Sequence, residues 1–259
     1  MTNLSRAGRI FYGIAIAGMG FQTLHYRDFP YFLLPPNHSG ISGLMWFAYP
    51  TGIILILAGA SIVFEMKART ISLLLGTVLL LIFIFYFIPY EFLSTSNYFR
   101  PIEWDNPEKE LDLSCGAFLV AGCFPKTNDN KLTSFLSKWI PLAGIIFSIT
   151  IISFGIDHFL YAKDVSEYVP SWIPGHLFWT YLAGLGLFGT GIAMLLRIRV
   201  RLFATLLGSM ILIWILILHI PKSIAETPEG MGGELTSAFL ALAYSGIAFV
   251  IAGTSKTTR

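Results

Sequence analysis

The stretch Thr70-Ile-Ser-Leu-Leu-Leu-Gly-Thr-Val-Leu-Leu-Leu-Ile-Phe-Ile-Phe-Tyr-Phe-Ile-Pro-Tyr90 runs for 21 residues without a charged side chain. A helix needs roughly 20 apolar residues to cross a hydrocarbon core of ~30 Å. This segment has that length and composition. Working outward, seven more apolar segments flank it, giving candidate spans at Ala7–His25, Ile41–Phe64, Thr70–Tyr90, Pro107–Phe124, Trp139–Tyr161, Pro174–Leu196, Val200–Ile220 and Gly233–Gly253. The fourth is the weakest, because its apolar part covers only Leu111–Phe124. It reaches full length if it starts at Pro107 with Asn106 as its N-cap.

Composition agrees. Hydrophobic residues make up 55% of the 259 and charged residues only 12%, against roughly 25% in a soluble domain. The mean hydropathy is +0.69. The first segment follows Arg6 and Arg9 but has no small-x-small cleavage site after it, so it reads as a retained span. With eight spans and the N-terminus in the cytoplasm, the cytoplasmic side collects 12 of the 17 basic residues, from Arg6 and Arg9 to Lys256 and Arg259. That bias sets the orientation, with both termini cytoplasmic in a multi-pass inner-membrane protein. Thirteen of the 15 acidic residues fall on the outer side. No basic face remains for nucleic acid. The partners expected are membrane lipid and a membrane or extracytoplasmic protein.

The chain repeats itself. A single ungapped shift places Gly52, Gly59, Arg69, Gly76, Ile88 and Pro89 on Gly184, Gly191, Arg201, Gly208, Ile220 and Pro221. Slightly different shifts align Pro107-Glu108 with Pro228-Glu229, Glu110-Leu111 with Glu234-Leu235, and Ala117-Phe-Leu119 with Ala238-Phe-Leu240. The expected fold is therefore an all-α integral membrane protein of eight transmembrane helices, arranged as two parallel four-helix repeats, residues 1–132 and 133–259. The glycine pairs seven apart suit close helix packing. Cys115 and Cys123 would lie ~12 Å apart on one helix, too far for a disulfide.

Candidate chemistry gathers at the outer side, at His25, Asp28, Glu91, Asp112, Asp157, His158, His176, His219 and Glu234. Ionisable side chains at membrane depth face a cavity or a partner. His158, Asp157, His219 and Glu234 form the candidate proton relay, since an imidazole beside a carboxylate can pass a proton near neutrality. Asp157 and His158 stand ~100° apart on a helical wheel, so they need not share a face. The alternative is that each histidine makes one structural hydrogen bond, as is also open to His25, His38 and His176. Trp179 and Trp214 are candidates to stack on a flat ring such as a quinone, with ordinary packing as the alternative. No histidine spacing indicates a metal site.

Several motifs of the second half form a recognisable string. They are Gly155-Ile-Asp-His158-Phe, Val169-Pro-Ser-Trp-Ile-Pro174, Phe178-Trp-Thr-Tyr181, Arg201, Leu218-His-Ile-Pro221 and Glu234-Leu-Thr-Ser-Ala-Phe239. Residues 140–253 resemble the DoxX-like family of bacterial membrane proteins, whose unit is a four-helix membrane domain. The first half resembles a degenerate copy, with Thr23 near the place of His158 and Phe87 at that of His219. The resemblance implies a quinone-linked redox membrane subunit. A non-enzymatic assembly partner and a small-solute or lipid carrier are the other two readings. No flavin, haem or iron–sulfur motif is present, so electrons would come from a partner or a bound quinone.

Overall fold

The computed structural model describes residues 1–34, 44–94, 98–126, 129–227, 230 and 232–255. His38, Pro228-Glu229, Lys256, Arg259 and the opening of the second expected span at Ile41 lie outside the described residues. Among the described residues the chain is helical, with no strand. Eight long helices follow one another: α1 (Asn3–Tyr26), α2 (Ala48–Val63), α3 (Ala68–Ser94), α4 (Asp105–Gly122), α5 (Lys131–Leu160), α6 (His176–Leu195), α7 (Val200–Ala225) and α8 (Gly233–Thr254).

Five of these, α3, α5, α6, α7 and α8, are long and apolar enough to cross a membrane. The other three fall short for separate reasons. α2 is apolar but has 16 residues, or ~24 Å. α4 carries five charged residues in 18, and most of it is buried. α1 has Arg6 and Arg9 at one end and Gln22, Thr23 and His25 at the other, and packs along both α2 and α8. A helix with protein on most sides need not be apolar all round. α4 begins at Asp105, so Asn106 lies in its first turn instead of capping it.

Several local features recur along the chain. α3 and α7 each widen into a π-turn, at Phe83–Phe87 and Ile215–His219. Pro89 and Pro221 explain both. A proline has no N–H and crowds the carbonyl four residues back. The helix responds by bonding one residue further, from the Ile88 N–H to the Phe83 carbonyl and from the Ile220 N–H to the Ile215 carbonyl. The links before these helices both use left-handed residues, Glu65 and Lys67 in one, Arg197 and Arg199 in the other. Ser114 donates to the Gly76 carbonyl at 2.7 Å, and Ser245 to the Gly208 carbonyl at 2.9 Å. These two bonds set Ser114 of α4 against Ser245 of α8, a different register from the sequence alignment of Ala117 with Ala238 and Glu110 with Glu234. Gly59 abuts Gly13 and Ala17 of α1, and Gly191 abuts Ser148 and Ile152 of α5, which sets Gly13 against Ser148 and Ala17 against Ile152. Side chains at Gly59 and Gly191 would collide with the neighbouring helix.

One end of the bundle is basic. Arg9 and Arg69, both buried, cap helix C-termini there. Arg9 donates to the Ile62 and Val63 carbonyls of α2 and pairs with Glu65 at 2.8 Å. Arg69 donates to the Ala121 carbonyl of α4 at 2.8 Å and grips both oxygens of Asp129, each at 2.8 Å. Cations suit helix C-termini, where unpaired carbonyls gather. Cys115 and Cys123 are both free thiols.

Candidate functional site

The opposite, acidic end is organised by α4. Its charged residues sit at Asp105, Glu108, Lys109, Glu110 and Asp112. Asp105, Glu108 and Asp112 are spaced i, i+3, i+7 and so share one helix face. α5 offers Thr150, Ser153 and Asp157 at the same spacing, running the other way. The two stripes meet rung by rung. Asp112 is fully buried and accepts from the Thr150 hydroxyl at 2.6 Å. Ser153 stands beside Glu108. Asp157, 6% exposed, lies within electrostatic reach of Asp105 and Lys109.

Several polar atoms here are buried without a hydrogen-bond partner among the described residues: one oxygen each of Glu108, Asp112 and Asp157, both of Glu110, and the Tyr244 hydroxyl. Tyr244 reaches in from α8 beside Asp112. Glu110 points to another side of α4, near Tyr12 of α1, and is fully buried. A carboxylate buried without a partner costs several kcal/mol. A proton or a visiting cation is needed to neutralise such groups. No cluster of His, Cys, Asp or Glu suited to a metal ion occurs among the described residues.

The loop after α1 flanks the mouth of this lane, where the Asp105 and Lys109 side chains stay partly exposed. Lys109 pairs with Asp105 and lies 5.6 Å from the Tyr31 ring centre. The Tyr31 hydroxyl sits 3.0 Å from that of Ser237 on α8. Burial holds the Tyr31 phenol above its ordinary range, against the pull of the Lys109 ammonium. Beside it, an open cleft of about 240 Å³ is lined by Gln22, Tyr26, Asp28, Phe29, Tyr31 and Thr236, among others.

The sequence-predicted residues fall into separate places. Asp157 joins the α4 lane. His158, one residue on, faces α6 across Gly184 and bonds the Phe154 carbonyl through Nδ1 at 2.7 Å. That bond requires the proton on Nδ1 and leaves Nε2 as an acceptor. Thr23 makes the matching bond in α1, to the Met19 carbonyl at 2.8 Å. His219 lies in the π-turn of α7, its Nδ1 buried without a partner among the described residues. Glu234 pairs with Lys222 at 3.7 Å, and Lys222 lies over the Tyr168 ring. Lys109 is the common neighbour, within electrostatic reach of both Asp157 and His219. Trp179 is 36% exposed on the outside of α6, with its indole N–H on the Pro174 carbonyl at 3.2 Å. Phe178 and Tyr181 are exposed beside it, the latter stacked on Phe159. Trp214 is half-buried on α7.

Sequence reasoning passed over Glu108, Glu110, Thr150 and Tyr244, and listed Asp112 without assigning it a role. The available signal was the weakness of the fourth span: acidic residues inside an otherwise spanning segment. No family model, curated protein or solved structure matches this chain.

Proposed function

We propose that this chain is an eight-span inner-membrane protein of two parallel four-helix repeats, with both termini cytoplasmic and the acidic end outside, and that it acts as the membrane subunit of a quinone-linked redox system. The recurrent π-turns, left-handed links and serine–glycine bonds support the repeat. The basic end, with Arg6, Arg9, Lys67, Arg69, Arg197, Arg199 and Arg201, supports the orientation.

The observation that carries the redox reading is a juxtaposition at the acidic end. Protonatable side chains from α4, α5, α7 and α8 lie inside the bundle, and Phe178, Trp179 and Tyr181 of α6 turn outward, toward the lipid on this reading. Quinone chemistry couples electrons to protons. It calls for an aromatic surface that a membrane-dissolved ring can reach and for groups that give and take protons. Trp179 and its neighbours would hold the ring. Electrons would come from a partner protein. The resemblance to the DoxX-like family points the same way.

The test is mass spectrometry of lipids extracted from mildly purified protein, run beside Trp179→Ala and His219→Ala. The reading expects an isoprenoid quinone near one per chain in the parent, depleted in Trp179→Ala. A parent free of quinone that retains another protein through purification would overturn it in favour of an assembly role. Topology is checked with an impermeant maleimide on intact cells. Cysteine placed at Asp164 or Glu226 should react, and cysteine at Lys67 or Arg197 should not.

A further inference from the structure

The geometry points to the α4–α5 seam as a one-sided proton well, open to the outer phase and closed toward the cytoplasm, with Asp112 as its terminal proton site. This rests on the membrane reading above but not on the quinone.

The well has three levels. Asp105, Asp157 and Lys109 form the mouth. Glu108 and Ser153 form the middle. Asp112, Thr150 and Tyr244 form the floor. Two helical turns separate Asp105 from Asp112, so the floor lies ~10 Å below the mouth. Beneath it the seam turns apolar, with Cys115, Leu119, Ala143 and Phe147, of which Phe147 is fully buried. Of these four residues only Cys115, a free thiol, carries an exchangeable side-chain proton.

The floor can hold either protonation state. With Asp112 ionised, Thr150 donates to it at 2.6 Å and the unpartnered Tyr244 hydroxyl can donate to the second oxygen. With Asp112 protonated, its own O–H donates to Thr150. The Thr150 hydroxyl then turns to the Phe147 carbonyl, 3.0 Å away. Tyr244 is the independent sign of a ligand here. It comes from a different helix, it is 8% exposed, and its hydroxyl lies beside the carboxyl without a hydrogen bond of good geometry. A threonine with two alternative acceptors and an idle phenol together build a site that takes a proton without moving the backbone.

The transfer balances simply. Hydronium outside gives its proton to the Asp157 or Glu108 carboxylate and leaves as water. The Glu108 carboxyl passes it to the Asp112 carboxylate and returns to the ionised form. The charged and titratable groups around the route are few. α5 contributes Asp157 and α8 contributes Tyr244. Lys222 and His219 of α7, Tyr31 and Tyr168 surround Lys109 at the mouth. α3 contributes the Gly76 carbonyl, already taken by Ser114, and carries the buried Glu91 in its last turn. Glu110 and Tyr12 lie on another side of α4, and Cys115 below.

The experiment uses the full chain in sealed membrane vesicles of one orientation, outer face out. Infrared difference spectra follow the protonated-carboxyl band after a pH step applied either outside or inside. An outside step should move the band and an inside step should not. Asp112→Asn should remove its floor component. Thr150→Val should shift that component in frequency, because the carboxyl loses its hydrogen-bond partner. This second variant keeps the site and serves if Asp112→Asn does not fold. A band that ignores outside pH, or follows both sides equally, overturns the well. Failure of the chain to reconstitute in a bilayer overturns both this and the membrane reading. Absence of quinone in the lipid extract overturns only the redox assignment.

Discussion

On the two-repeat reading proposed above, the α4–α5 seam and the α8–α1 seam are equivalent places, yet one is polar (the wet seam) and the other apolar (the dry seam). Carried along the helices from Ser114 on Ser245 and from Ser148 on Gly13, the correspondence puts Asp112 and Thr150 on Ala243 and Ala15. Glu108 and Ser153 correspond to Phe239 and Gly18, and the Phe239 ring fills the space over Gly18. Only the outermost rung stays polar in both: Asp105 and Asp157 correspond to Thr236 and Gln22, whose amide N–H donates to the Thr236 hydroxyl at 2.5 Å. Further down, the dry seam has Gly8 and Gly246 where the wet one has Ala143 and Cys115. The two seams share a backbone plan. In one, the backbones nearly touch and the space is filled by carbon. In the other, the helices stand off by a side chain and the space is filled by carboxyl groups. The dry seam packs without acids in the corresponding places.

The largest test of this contrast is steric. A Cβ on Gly246 would lie 2.6 Å from the Gly8 carbonyl oxygen and 2.8 Å from the Tyr12 nitrogen. Gly246→Leu should cost ~3 kcal/mol or more and abolish monodisperse protein, since overpacking forces the backbones apart. Cys115→Ala at the matching wet position should cost less than ~1.5 kcal/mol. Equal losses in thermal unfolding of the two variants would erase the distinction in packing.

Next is a transplant. Ala243→Asp puts a carboxyl into the dry seam without a donor, and should destabilise by ~2–4 kcal/mol. Adding Ala15→Thr supplies the hydroxyl that Thr150 provides in the wet seam. The pair should recover ~1 kcal/mol relative to additivity, net of crowding. A double-mutant cycle with no positive coupling would show that the rung depends on more than its two members.

Much of the helix plan was legible in the sequence, because apolar length and loop punctuation are local signals. Each of the eight expected spans overlaps one of α1–α8, but only α3, α5, α6, α7 and α8 are long and apolar enough to cross a membrane. The π-turns were not read from the sequence, where Pro89 and Pro221 stood out only as matching positions of the repeat. The site was only half legible. Asp157 was chosen because it is a charge in an apolar run. Its neighbour His158 was chosen on the same ground, but a rotation of ~100° sends it to α6 and a backbone carbonyl. Asp112 and Thr150 come from different halves, and no pattern along the chain pairs them. α4 itself was misjudged for a physical reason. Interior carboxyls lower hydropathy as loop residues do, so its functional stretch looked like a defect in a span.

A smaller effect separates the buried floor of the wet seam from the polar rung of the dry one. Thr150→Val removes the hydroxyl that donates to Asp112 at 2.6 Å, and should cost ~1–3 kcal/mol. Thr236→Val takes one acceptor from Gln22, which keeps the Gly232 carbonyl at 2.6 Å, and should cost ~0.5–1.5 kcal/mol. Chemical denaturation of both variants ranks them. A Thr236→Val loss as large as that of Thr150→Val would mean that burial of charge adds nothing at the floor of the wet seam.

The smallest effect compares two arginines of the basic end, Arg69 and Arg201. Arg69 is buried and grips Asp129 with two parallel bonds, and its counterpart Arg201 is exposed. Those bonds hold the Asp129 carboxyl below its ordinary range. A group whose acidity is strengthened by folding stabilises the fold above its unfolded value of ~3.9, and that contribution fades as pH falls through the lower folded value. Asp129→Asn should therefore reduce stability at neutral pH and flatten its decline below pH ~4. An Arg201→Gln variant should keep the parent's acid slope, because interactions of an exposed arginine are weakened by water and salt. If the slope survives Asp129→Asn unchanged, the acid sensitivity does not come from the Arg69–Asp129 pair.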